Sequence, residues 1–185
     1  FQVVKRHNKF GKTGKKLKVS EKTSVLICYG DSLLNNDKEK TIKNLKKFYK
    51  KTLDNLFEII HFLPFYPSSS DSGFAVKDHY QVDKKLGDWS DIYKLSKSTN
   101  IMADIVINHA SSKGLWFKNF LRKKSPGKNY FLTVNKNFDI SKVIRPRENR
   151  LLKRISIFKK NNLLWRTFSD DQIDLNFRNP KVLLR

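Results

Sequence analysis

From residue 24 onward, short apolar runs alternate with longer stretches in which apolar residues recur every three or four positions. Residues 24–29, SVLICY, form a run of strand length. Ile42, Leu45, Phe48, Tyr49, Leu53 and Leu56 then recur at helical spacing with lysines between them, and Asp37 stands upstream where a side-chain acceptor can cap the first turn. Residues 59–63, IIHFL, predict a second strand, closed by Pro64 and Pro67. Ile92, Tyr93 and Leu95 predict a short helix over 90–98, and residues 102–107, MADIVI, a third strand. Strand and helix in alternation, with short connections, predict parallel strands joined by right-handed crossovers. Strands of that kind are covered on both faces, which accounts for continuous apolar runs in place of an in–out alternation.

Two features break this pattern where chemistry would sit. Asp104 interrupts the third strand, and Asn108 and His109 arrive as its apolar run ends. In parallel α/β sheets and barrels, ligands collect beyond the carboxyl ends of the strands. The same end of the second strand opens into a long loop carrying Asp71, Gly73, Phe74, Asp78, His79, Tyr80 and Asp83. Carboxylates and aromatic rings on one rim suit a sugar, whose hydroxyls need acceptors and whose C–H faces stack on rings. Taken singly, each residue has a structural reading: Asp71 among serines caps a turn, Phe74 is core, and His109 is a satisfied surface group at a strand end.

Charge changes the picture in one place. The net charge of +22 is concentrated in residues 1–22, with eight basic groups and one acidic, and in residues 111–166, with sixteen and two. Residues 23–110, where the patterning is regular, carry twelve and eleven. No helix-turn-helix, zinc-finger or RNA-recognition signature accompanies the excess, so a solvated lysine-rich surface is the reading for the tail, and no nucleic-acid partner is expected. The single cysteine, Cys28, excludes an internal disulfide framework and fits a reducing, cytoplasmic compartment. No apolar run reaches the length of a membrane span. The chain begins at Phe1 without an initiator Met, which predicts a fragment at that end.

Several stretches together carry a family resemblance. ADIVINH, residues 103–109, resembles the D-x-x-x-N-H motif on the third strand of glycoside hydrolase family 13, the α-amylase family. Residues 64–96, PFYPSSSDSGFAVKDHYQVDKKLGDWSDIYKLS, are similar to the branch containing sucrose, sucrose-6-phosphate and glucosylglycerate phosphorylases. ICYGDSL at 27–33, VIRPRENRLL at 143–152 and WRTFSDDQIDLNFRNPKVLL at 165–184 also resemble that branch, the last around a Q-x-D-L-N motif. The resemblance covers roughly residues 24–185.

It implies an α/β fold, the N-terminal part of a (β/α)8 TIM barrel (its first three strands) with a small lobe inserted after the third strand. The implied layout is a basic tail over 1–22, barrel over 23–109, inserted lobe over 110–176 and the start of the third barrel helix over 177–185. The implied activity is retaining α-glucosyl transfer, in which an α-glucoside such as sucrose or glucosylglycerate reacts with phosphate to give glucose 1-phosphate and an acceptor. By residue, His109 would bond a glucosyl hydroxyl, Asp71 would accept from hydroxyls at the far end of the ring, and Phe74 would stack on it. Arg147, and with it Arg145, would contact phosphate or the acceptor, since guanidinium forks grip phosphate in two-point fashion. Asp104, Asn108 and Asp174 would be structural, with Asp174 and Asn176 in a turn that leads to a helix started by Asn179 and Pro180. No metal and no cofactor are implied beyond inorganic phosphate as co-substrate.

The nucleophile and acid/base of the family would lie beyond Arg185, so residues 1–185 alone are expected to be inactive. Two other readings stay open: an amylase-like α-glucoside hydrolase, and a non-catalytic basic remnant that binds polyanions.

Overall fold

In the computed structural model, which describes residues 18–34, 39–54, 56–144, 147–155 and 162–184, the three apolar runs lie side by side. Asp37, Arg145 and residues 1–17 of the basic tail fall outside these described residues. The strands β1 (Val25–Cys28), β2 (Ile59–Phe62) and β3 (Asn100–Ala103) form a parallel sheet in the order β1-β2-β3. Register rows run Ile27–His61–Met102 and Cys28–Phe62–Ala103, so the two rows present opposite faces.

One face carries Cys28, Ile60 and Phe62 into a core closed by Ile42, Leu45 and Tyr49 of the first helix and Leu95 of the second. The first helix, α1 (Thr41–Phe48), presents Ile42 and Leu45 inward and lysines outward, with Lys46 and Lys47 in its last turn, where the helix dipole favours cations. It begins at Thr41 with no side-chain cap from Lys40. A π-helical turn, Tyr49–Leu53, ends it, and the Tyr49 hydroxyl donates to the Phe57 carbonyl at 2.5 Å. Leu56, expected within this helix, therefore lies outside it. The second helix, α2 (Trp89–Ser96), starts one residue earlier than expected because Asp88 and Asp91 form a capping box: each side chain accepts from the other residue's backbone N–H. Lys40 bonds Asp88 at 2.8 Å and ties the two helices together.

The third strand is shorter than its apolar run. Pairing stops at Ala103 opposite Phe62, because the partner chain soon reaches Pro64, which has no N–H to extend the ladder. Asp104 thus stands one residue past the strand, and Ile105 and Ile107 are exposed at 78% and 54%, with only Val106 buried. Nor is the sheet covered on both faces: Val25, Ile27 and Met102 are exposed on the side away from α1 and α2.

After β3 the architecture changes. Strand β4 (His109–Ser111) pairs antiparallel with β8 (Gln172–Asp174) across 60 intervening residues, 112–171. Within that excursion, helix α3 (Leu115–Leu121) precedes an antiparallel sheet of β5 (Thr133–Asn135), β6 (Leu152–Ile155) and β7 (Asn162–Trp165), in the order β5-β7-β6. A second core forms here from Phe117, Phe120, Phe131, Leu164, Ile173 and Leu175. Asp174 is a buried strand residue and not part of a turn, because the β4–β8 ladder places it opposite His109. Helix α4 (Pro180–Leu183) follows, with Asn179 accepting from the Lys181 N–H at 3.0 Å and Pro180 in the first turn.

The open sheet face has a measurable consequence. Residues 1–185 expressed alone are expected to self-associate at micromolar concentration, and replacing Ile27 by Lys on that face is expected to weaken the association. Sedimentation velocity checks both; a monomer throughout would contradict the assignment of that face as unsatisfied apolar surface.

Candidate functional site

The loop after β2 is built to hold one short turn in place. Ser68 bridges to Val76, Ser69 and Ser70 exchange backbone bonds with Ala75, and Phe74 N–H closes on the Asp71 carbonyl at 2.9 Å. Asp71 and Ser72 sit inside this turn at φ of 57° and 49°, in the left-handed region that non-glycine residues avoid, and Gly73 follows at 102°. Such conformations cost of order 1–3 kcal/mol each and persist only where the surroundings impose them. At Gly73 a Cβ would lie 2.6 Å from the Pro64 carbonyl, so only glycine allows the turn to press against the end of β2.

Asp71 is exposed, and its carboxylate is oriented from far along the chain. Gln172, at the start of β8, donates from Nε2 to Asp71 Oδ2 at 2.7 Å. Among the described residues Oδ1 makes no hydrogen bond, so one carboxylate oxygen is held and the other is free to accept.

His109 is 4% exposed and is fixed through the same loop. Its Nε2 lies 3.0 Å from the Phe74 carbonyl, and its ring packs on Phe168 with centroids 4.9 Å apart. A carbonyl accepts only, so Nε2 carries the proton and Nδ1 carries the lone pair. Among the described residues Nδ1 has no partner, and it is closed to solvent in this conformation. Burial pushes the His109 imidazolium below the ordinary 6.5, against smaller opposing effects from the Phe74 carbonyl, Asp174 and Asp71, while His79 adds to the lowering. Asp174, opposite, is pushed above the ordinary carboxylate value by burial, although Thr167 donates to it from N at 2.9 Å and from Oγ1 at 2.7 Å.

The structure thus brings Asp71, Phe74 and His109 together: two belong to one turn, and the third bonds to it. The remaining candidates lie elsewhere. Asp104 pairs with His61 at 3.2 Å, joining β2 to the segment just past β3. The Asn108 side chain is exposed, and its carbonyl accepts from Leu175 N–H at 3.0 Å. Arg147 is exposed in the excursion between β5 and β6, and Arg145 lies outside the described residues. His79 bonds the Val106 carbonyl at 2.8 Å and stacks on Trp116, a packing position. A cleft of about 630 Å³ adjoins the turn, bordered by Tyr29, Asp31, Tyr66, Ser70, Gly73 and Asp83. Asp71 and His109 are not among its lining residues. Among the described residues no group of three or more His, Cys, Asp or Glu side chains has the arrangement to hold a metal ion.

Sequence reasoning missed Gln172, Phe168 and Asp171. Asp171 accepts from the hydroxyls of Ser69, Ser70 and Ser112, with Ser111 Oγ 3.4 Å away, on the segments flanking Asp71 and His109. The signals available were the Q-x-D-L-N motif, which begins at Gln172, and the polar–apolar alternation of QIDL, which marks a strand.

The chain is similar to known proteins over most of its length. The family described as alpha amylase, catalytic domain, matches residues 46–184. The chain is 44% identical over 165 residues to the glucosylglycerate phosphorylase of Escherichia coli K12, covering 89% of this chain and 29% of that protein. It is 32% identical to the sucrose phosphorylase of Bifidobacterium adolescentis, covering 84% of this chain and 32% of that one. The sucrose 6F-phosphate phosphorylase from Thermoanaerobacter thermosaccharolyticum superposes with a TM-score of 0.76 at 29% identity, over 90% of this chain and 36% of its own. The chain therefore spans about a third of the length of such relatives. Its fold is α/β and matches their TIM-barrel architecture, and the chain belongs to the α-amylase family.

Proposed function

We propose that these residues form the sugar-facing part of a retaining α-glucosyl phosphorylase, which converts an α-glucoside and inorganic phosphate into glucose 1-phosphate and a free acceptor. The observation that carries the reading is the Asp71–Gln172 bond beside His109, in a chain similar to phosphorylases over most of its length. Asp71 Oδ1 accepts from a hydroxyl at the far end of the glucosyl ring, and His109 Nδ1 accepts from a hydroxyl nearer the scissile bond once the side chains that close it off shift. Phe74 offers a ring face. These groups bind and orient; they do not form or break the glycosidic bond. The attacking carboxylate and the acid that protonates the leaving oxygen come from outside residues 1–185, and phosphate then displaces the glucosyl group from the enzyme.

Residues 110–176 act in this reading as a lobe over the site. Segment 111–166 carries sixteen basic and two acidic groups, a field that raises the local concentration of phosphate or an anionic acceptor. Arg147, with Arg145, is the proposed contact for that anion. An amylase-like hydrolase is the second reading, and the two separate cleanly: phosphate-dependent release of glucose 1-phosphate supports the phosphorylase, and phosphate-independent release of glucose supports the hydrolase.

In the full-length protein, Asp71→Asn and His109→Gln are each expected to lower kcat/KM for the glucoside by about 10²-fold or more, as loss of a contact to the reacting sugar does. Steady-state phosphorolysis of sucrose and of glucosylglycerate measures this. Protonation gives a further expectation. His109 and His79 are both held below 6.5 by burial, so the unfolded chain binds more protons than the folded one as pH falls below that value. Their contribution to stability is complete above about 6.5 and is lost progressively toward their lower folded values. Urea midpoints across pH 5 to 7.5 should fall on the acid side, with a shallower slope in His109→Gln.

A further inference from the structure

We propose that Asp171 is a positioning residue for this site, clamping the segments that carry Asp71 and His109 so that both stand in fixed places against a bound glucosyl unit. The proposal rests on the glucosyl-transfer reading above.

One carboxylate offers about four lone-pair positions and no donor. At Asp171 three hydroxyls donate, Ser70 at 2.8 Å and Ser69 to Oδ2 and Ser112 at 2.6 Å to Oδ1, while Ser111 Oγ stands 3.4 Å from Oδ1 and gives its single proton to Ser69. Ser69 and Ser70 immediately precede Asp71, and Ser111 and Ser112 follow His109 by two and three residues. Each oxygen thus takes one rim of the site. The rims also touch directly, Ser69 Oγ to Ser111 Oγ at 2.5 Å, and the Ser112 N–H donates to the Asp171 carbonyl at 2.8 Å. The next residue, Gln172, holds the Asp71 carboxylate itself. Residues 171 and 172 therefore fix Asp71 twice, through the backbone leading to it and through its side chain.

The clamp answers a need the turn creates. Asp71 and Ser72 occupy left-handed conformations that relax unless the flanking chain is pinned, and Ser69 and Ser70 are the pinned residues on the upstream side. Hydrogen bonds to an ionised acceptor are about twice as strong as neutral ones, which suits a carboxylate to that work. Burial raises the proton affinity of Asp171, but Ser112, Ser69, Ser70 and the charge of Lys113 outweigh it, so the group stays ionised.

Asp171→Asn in the full-length protein tests the assignment, since the amide keeps the shape and loses one accepting oxygen. Phosphorolysis of glucosylglycerate and sucrose should show KM raised about tenfold with kcat within about threefold of the parent, the pattern of a lost binding geometry. Amide exchange should quicken in residues 68–76 and stay unchanged in β2. Ser70→Ala should show the same effects at smaller size, and Ser70→Thr, which keeps the hydroxyl on an extended backbone, should restore parental KM. If Asp171→Asn fails to fold, the Ser70 pair decides alone. Unchanged KM and exchange, or a uniform rise in exchange with kcat and melting temperature falling together, would overturn the assignment. If the unaltered protein makes no glucose 1-phosphate, the glucosyl-transfer reading fails. Exchange confined to 68–76 then still upholds the clamp, and its absence removes it.

Discussion

The pairing of β4 with β8 is the constraint on which the rest of the site depends. Three residue pairs, His109–Asp174, Ala110–Ile173 and Ser111–Gln172, join the two ends of a 60-residue excursion. Without that ladder the segment after β3 would have no fixed exit, and Gln172 would have no reason to lie near the loop after β2. With it, a parallel α/β unit and an antiparallel sheet share a seam, and Asp71, His109 and Gln172 sit on the seam. The ladder is short, but its sides are well anchored: Ala110 and Ile173 belong to the second core, and the Ser111 N–H donates to the Val76 carbonyl at 2.8 Å.

The polar groups along this seam divide by charge state. Asp171 is held ionised by hydroxyl donors, whereas Asp174 and His109, facing each other across the ladder, are both pushed by burial toward their neutral forms. Neutral His109 with its proton on Nε2 is the form that can accept at Nδ1. The same burial that weakens the imidazolium therefore prepares the histidine for the hydroxyl contact proposed for it.

What could be read from sequence follows from how local the physics is. The first two strands, both helices of the α/β part and the Asn179–Pro180 helix start were legible, because apolar periodicity and capping chemistry act within a few residues; of the third strand, expected over 102–107, only Met102 and Ala103 fall in the observed Asn100–Ala103. The limits of that logic show at Ile105 and Ile107: an apolar run announces a strand, but only the neighbouring chain decides where pairing stops and which face is covered. Asp71, Phe74 and His109 were singled out by their place beyond strand ends and by a family resemblance. Gln172 and Asp171 were not, since their partners lie 59 to 102 positions away in the chain. Asp174 was taken for a turn residue because a three-residue strand is too short for its alternation to outweigh the Asn and Pro that follow.

The same distances set an order of events for the nascent chain. Residues 25–103 contain both helices and all three parallel strands of the first core, so this unit has its partners as soon as β3 has emerged from the ribosome. Asp71 is synthesised with it, yet the side chain that fixes its carboxylate is made 101 residues later. At a synthesis rate of roughly 5–20 residues per second, the strained turn waits on the order of 5–20 seconds for Gln172. During that interval the loop after β2 has its own backbone bonds but lacks the bond that orients the Asp71 carboxylate.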